Sequence, residues 1–118
     1  MRPAQNCPSC GNALQIERLR CMACHTVVEG RFRWPRLARL APEDQQLVEL
    51  LILSSGSLKA VAKRLGISYP TMRKRLDALI RALEREVKAD ERFRRQLVKE
   101  VAAGQRSVRE AVKQLKAI

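Results

Sequence analysis

Four cysteines constrain this chain more than any other feature. Cys7-Pro8-Ser9-Cys10 and Cys21-Met22-Ala23-Cys24 are two CxxC pairs with ten residues between them. Zn²⁺ takes four soft ligands in a tetrahedron, and each CxxC turn offers two sulfurs from one tight knuckle. Pro8, Ser9, Gly11 and Asn12 supply turn-forming residues at the first pair, and Ala23 a small one at the second. The stretch 13–20 is short enough for strand, turn and strand. From Thr26 to Trp34, Phe32 and Trp34 alternate with Arg31 and Arg33, the period-two pattern of a half-exposed strand. The spacing predicts a β zinc ribbon in which Cys7, Cys10, Cys21 and Cys24 hold one structural Zn²⁺ per chain.

Other uses of these thiols fit less well. Disulfides suit an oxidising compartment, and a thioredoxin-like redox pair needs a βαβ context that the chain lacks. Cys21-Met22-Ala23-Cys24-His25 formally matches the CxxCH haem attachment pattern. Haem would leave Cys7 and Cys10 without a purpose and would require export. His25 is expected to be a solvated neighbour of a shell that four thiolates already complete. A catalytic zinc keeps an open position and recruits a base, and no such arrangement adjoins the knuckles.

Charge narrows the partner. The 118 residues carry 24 Lys/Arg against 12 Asp/Glu, a net +12. Four thiolates around one Zn²⁺ would lower this to about +10. Such an excess favours a polyanion, nucleic acid rather than a membrane surface. One Trp, one Tyr and two Phe are too few for a base-stacking platform, which disfavours single strands and RNA. No run of 18 apolar residues and no apolar secretory signal occurs, so a cytoplasmic location with reduced thiols is expected.

From Pro42 the apolar spacing becomes helical. Pro42-Glu43-Asp44 is a helix start with acids in its first turn. Leu47, Leu50, Leu51 and Ser54 share a face, and Ser55-Gly56 ends the helix. Ser57 caps a second helix over 58–65 with Leu58, Val61, Ala62 and Leu65 inward. Gly66 can take a left-handed turn without a Cβ penalty, Ile67 anchors that turn, and Ser68 caps a third helix with Pro70 in its first turn. Met72, Leu76, Leu79 and Leu83 then recur at helical spacing. The string Val61-Ala62-Lys63-Arg64-Leu65-Gly66-Ile67-Ser68 predicts a helix-turn-helix. Its third helix carries no acid between Ser68 and Leu76.

The early turns of a recognition helix are those that enter the major groove. Ser68, Tyr69, Thr71, Arg73, Lys74 and Arg75 are the candidate DNA-binding residues. Lys74 lies almost opposite the core stripe. Thr71, Lys74 and one flanking Arg are expected at base edges and the rest at phosphates. A solvated charged face is the bland alternative.

Two segments stay open. Arg31, Arg33, Arg36 and Arg39 interleave with Trp34, Leu37 and Leu40, so the connector could lie along phosphates or pack between modules. In the tail, Phe93, Leu97 and Val101 mark one helix ending at Ala103-Gly104. Ser107 with Glu110 makes a capping box for another, carrying Val108, Ala111, Val112 and Leu115. Short amphipathic helices need a host: the helix-turn-helix or a second copy, with Val48 and Ile52 as candidate contacts.

The strings CPSCG, RLRCMACHTVVEGRF, PRLARLAPEDQQLVELLI and LGISYPTMRKRLDALI together resemble an uncharacterised bacterial family, the domain of unknown function numbered two thousand eighty-nine. The likeness runs from about Cys7 to Leu83. It implies a zinc ribbon plus helix-turn-helix that regulates transcription. The strongly basic tail departs from that pattern.

The expectation is a small α+β protein: a zinc ribbon over 1–35, an all-α helix-turn-helix domain over 36–87 and a C-terminal helical hairpin over 88–118. The expected function is transcriptional regulation through sequence-specific duplex-DNA binding, without enzymatic activity. The rival is an interaction module that docks on RNA polymerase or another protein. A homodimer would suit paired half-sites.

Overall fold

The computed structural model describes residues 3–116. Two antiparallel strands, β1 (Ile16–Arg20) and β2 (Val27–Phe32), come first. A single 3-10 turn at Arg36–Arg39 follows. Four helices complete the chain: α1 (Pro42–Leu53), α2 (Leu58–Leu65), α3 (Tyr69–Ala102) and α4 (Val108–Lys116). The fold is thus the expected small α+β arrangement of ribbon and helices.

The ribbon holds one strand where 13–20 was expected to hold two, because Ala13 makes only an isolated bridge to Asn6. A register shift between Ile16 and Arg18 accompanies the pairing of Arg18 with Glu29, whose side chains form an exposed 2.6 Å ion pair.

The helix boundaries follow local chemistry. Pro42 begins α1, where its missing N–H removes no helical bond. Ser57 Oγ accepts from Ala60 N–H at 3.2 Å and opens α2. Gly66 closes α2 at φ +66°, and Ile67 N–H returns to the Ala62 carbonyl at 3.0 Å. Nothing lies within 4 Å of a Cβ built on Gly66, so the position demands glycine for its backbone angle alone. Leu40, Leu47, Val61, Ala62, Met72 and Leu79 form the buried core, with Val48, Leu50, Leu51, Leu58, Ile67 and Leu76 packed against it. Val48 therefore joins this core, whereas Ile52 is 72% exposed.

The expected break near residue 87 is absent. The third helix and the first tail helix are one helix of 34 residues, roughly 51 Å long at 1.5 Å per residue. Its inner stripe runs Met72, Leu76, Leu79, Leu83, Glu86, Asp90, Phe93, Leu97 and Val101, all within about 50° of one line at 100° per residue. Two acids interrupt the apolar pattern, and the connector explains them. Asp90, only 1% exposed, accepts from Arg36 Nε at 2.9 Å and Arg39 Nη2 at 2.7 Å, with Arg33 Nη2 at 3.5 Å. Arg39 Nε also donates to Glu86 at 2.8 Å, and Arg33 stacks 3.8 Å over the Phe93 ring. The connector is therefore packed: Arg33, Arg36 and Arg39 are spent on α3, and an arm along phosphates keeps only Arg31 of the four.

The tail's host is α3 itself. Gly104 (φ +72°) turns the chain, Arg106 pairs with Glu100 at 2.7 Å, and α4 folds back on the end of α3. Ser107 Oγ accepts from Glu110 N–H at 3.2 Å, and Leu97 and Ala111 are buried.

Burial pushes the Asp90 carboxyl up, but hydrogen bonds from Arg36 and Arg39, and the charges of Arg39 and Arg33, outweigh it and hold the group below its ordinary 3.8. A depressed native pKa contributes stability that is present above the unfolded value and lost as pH falls through the native one. Breaking a buried pair from one side leaves uncompensated charge, at about 3–5 kcal/mol. Asp90→Asn is expected to lower unfolding free energy by about that amount in urea titrations near pH 7. The variant should also lack the part of the acid-induced loss that wild type shows below about pH 4.

Candidate metal centre and nucleic-acid interface

The two CxxC turns are copies of one another. Cys7 N–H donates to Asn12 at 2.7 Å and Gly11 N–H returns to Cys7 at 2.8 Å. Likewise Cys21 N–H donates to Thr26 at 2.8 Å and His25 N–H returns to Cys21 at 2.9 Å. The residue after each second cysteine is left-handed: Gly11 at φ +77° and His25 at +63°. His25 thus fills the place that glycine fills in the first knuckle, with an exposed side chain.

Local hydrogen bonds favour thiolate. Cys24 Sγ lies 3.0 Å from Thr26 Oγ1, and bonds from the Thr26 side chain and backbone, then from Cys21, lower its thiol to about 7. Backbone bonds from Cys10 and Ser9 lower Cys7. Among the described residues, no three Cys, His, Asp or Glu side chains converge closely enough to hold a metal ion. Each knuckle assembles its own pair of sulfurs, and the two pairs are not joined.

Burial shows how much the ribbon needs such a cross-link. From Cys7 to Gly30 no residue is buried; only Cys7 and Ile16 are even partly covered. A segment without a core cannot offset its ordering entropy by burial, and small domains of this kind rely on metals or disulfides. The donor set of Cys7, Cys10, Cys21 and Cys24 fits a structural Zn²⁺, which would tie the two knuckles into one unit.

The start of α3 forms the second site. Ser68 is its N-cap: Oγ accepts from Thr71 N–H at 3.3 Å and lies 2.8 Å from Thr71 Oγ1. Ser68 and Thr71 therefore share their hydroxyls, while Tyr69 is 51% exposed. Lys74 is exposed and faces directly away from Met72 and Leu79. Arg73 pairs loosely with Asp77 at 3.6 Å. Arg75 lies beside α1, in a cleft it shares with Glu43, Asp44 and Leu65. The six candidates thus divide: Lys74 stands forward, Thr71 and Arg73 are exposed on its two flanks, Ser68 caps, Tyr69 flanks and Arg75 turns toward α1. Lys59, Lys63 and Arg64 on α2 are also exposed; their share of any phosphate contact was not evident from the helix pattern.

Comparison with protein families matches the description "DUF2089 zinc ribbon" over residues 7–38 and "Domain of unknown function (DUF2089)-HTH" over 40–86. The chain belongs to this family. The helix-turn-helix with its zinc ribbon marks a nucleic-acid-binding protein. No curated protein and no solved structure gives a significant match. Among the described residues, no helix is long and apolar enough to cross a membrane.

A left-handed residue with a Cβ is strained by about 1–2 kcal/mol, and glycine is not. Gly11→Ala is therefore expected to lower the unfolding free energy of the metal-loaded protein by about 1 kcal/mol. His25→Gly should leave it unchanged or raise it, with metal content unaltered. Loss of metal in His25→Gly would instead make the imidazole a ligand.

Proposed function

We propose that this protein is a transcriptional regulator that binds duplex DNA sequence-specifically through the start of α3, with one structural Zn²⁺ in its ribbon and no catalytic role. The observation that carries this reading is the exposure of Lys74 opposite the Met72 and Leu79 that seat the helix, with Thr71 and Arg73 exposed on its two flanks. A long cation at that place can donate to guanine O6 and N7 in the major groove, and each such contact discriminates by about 1–3 kcal/mol. Ser68 and Arg75 are then positioned for phosphates rather than bases.

The ribbon supports a second reading. Leu19 and Val28 pair across the strands and are 53% and 52% exposed, and Met22 is 87% exposed. This apolar face suits contact with a protein of the transcription machinery such as RNA polymerase. If that contact dominates, duplex binding should be no stronger than that of any comparable polycation.

Selection of genomic duplex fragments by the zinc-loaded protein near physiological salt, run beside Lys74→Ala, tests the primary reading. A shared motif that relaxes at one base position in the variant is the expected result. Uniform capture by both proteins, washed off by modest salt, would transfer the weight to the second reading. Metal analysis should give one zinc per chain in wild type and none in Cys10→Ser with Cys21→Ser. Chelation should unfold the ribbon while the helical signal of α1–α4 persists.

A further inference from the structure

The continuity of α3 creates a surface that runs past the end of the helix-turn-helix match at residue 86. Lys74, Arg81, Arg85, Lys88, Arg92, Arg95 and Lys99 recur at alternating steps of three and four residues after Arg81, with Lys74 one heptad before it. At 100° per residue they fall within about 40° of one line, opposite the inner stripe. Every one of them is exposed, and among the described residues none forms an ion pair. Of the acids of α3, Asp77 falls at the edge of this line, between Lys74 and Arg81. Glu86 and Asp90 face inward to the connector, Glu100 pairs with Arg106, and Asp77 with Arg73. Glu84 and Glu91 border one edge of the stripe.

Like charges three and four residues apart destabilise a helix. Asp77, Glu84 and Glu91, each three residues after one stripe cation and four before the next, offset part of this repulsion, and a polyanion along the stripe would relieve the rest. The stripe is straight and roughly 37 Å long at 1.5 Å per residue, close to one turn of a duplex at about 34–36 Å. It has no aromatic side chain on which an unpaired base could stack: Tyr69 and Phe93 both point elsewhere on the helix. Its first member, Lys74, is the residue placed at the groove by the proposed function.

We infer that the outer face of α3, from Lys74 to Lys99, is a rigid phosphate-binding rail that extends the duplex contact of the helix-turn-helix into the second half of the long helix. The inference rests on the reading of the chain as a duplex-binding protein, but not on base recognition by Lys74. Lys88, Arg92, Arg95 and Lys99 neutralise phosphates outside the base-read segment. The basic tail thus contributes affinity and on-rate without sequence information.

The test measures binding of the zinc-loaded protein to its selected duplex, and to a scrambled one, across a salt series. Wild type is compared with the quadruple variant Lys88→Gln, Arg92→Gln, Arg95→Gln and Lys99→Gln. Each neutralised phosphate contributes about 0.9 to the slope of log K against log salt, so the variant's slope should be shallower by up to about 3.6. Affinity near 0.1 M salt should fall on the order of 100-fold or more, equally for both duplexes, leaving their ratio unchanged. The charge-preserving exchange Lys88→Arg, Arg92→Lys, Arg95→Lys and Lys99→Arg should bind as wild type does. All four positions are exposed, and unchanged helical circular dichroism and zinc content would exclude misfolding. A quadruple Gln variant with wild-type slope and affinity would overturn the rail, as would a loss of binding confined to RNA or to an acidic protein. The two proposals fail separately. Loss of slope without any sequence preference in wild type leaves the rail and removes base reading. A preserved preference with an unchanged slope does the reverse.

Discussion

A single buried carboxylate organises this molecule. Asp90, almost wholly enclosed on α3, is held by Arg36 and Arg39 and approached by Arg33, all from the connector that follows the ribbon. Replacing a buried ion cluster by well-packed apolar groups is often neutral in stability, whereas removing one partner is costly. The value of this cluster therefore lies in register more than in net free energy. An apolar contact would tolerate sliding of the connector along α3. A carboxylate that must satisfy two guanidinium groups at 2.7 and 2.9 Å does not. Glu86, one turn earlier, doubles the constraint through Arg39. Gln5 Nε2 and Gln45 Nε2 both donate to the Ala38 carbonyl, so the knuckle end and α1 meet at the same connector.

Because the connector is seated halfway along α3, the helix can serve as a spine for three packed groups. The helix-turn-helix core covers its first third, the arginine cluster its middle and α4 its end. Each occupies the same inner stripe. The opposite face is left free over the whole length, and there the unpaired cations accumulate. Charge is thus partly sorted across the helix: Glu86 and Asp90 face inward against arginines, and seven bases face outward with Asp77, Glu84 and Glu91 along their edge. The distribution of net charge along the chain, +5 over residues 1–40 and +5 over 87–118 against +2 between them, hides this sorting because it does not count around a helix.

The ribbon obeys a different physics. Its residues make hydrogen bonds and a strand pair but bury almost nothing. Two identical knuckles, one using Gly11 and the other His25 in the left-handed position, pre-form the sulfur pairs. Such a module needs coordinate bonds for cohesion, and it leaves Leu19, Met22 and Val28 exposed.

Sequence by itself determined the parts governed by local rules. The CxxC knuckles, the start of α1 at Pro42, the caps at Ser57, Ser68 and Ser107, and the left-handed Gly66 all depend on residues within about five positions of one another. Each was legible for that reason. The core residues Leu47, Val61, Met72 and Leu79 were legible too, because one helical period exposes them. What only the tertiary structure decided involves partners far apart in the chain. Glu86 and Asp90 look like the end of an apolar stripe, since an acid in a core position signals solvent unless a countercharge meets it. The arginines that meet them lie 47 to 57 residues earlier, beyond the reach of any periodicity. That pairing seats the connector on one continuous helix where two were expected and withdraws three arginines from the surface, while seven of the ten cations of α3 keep the opposite face.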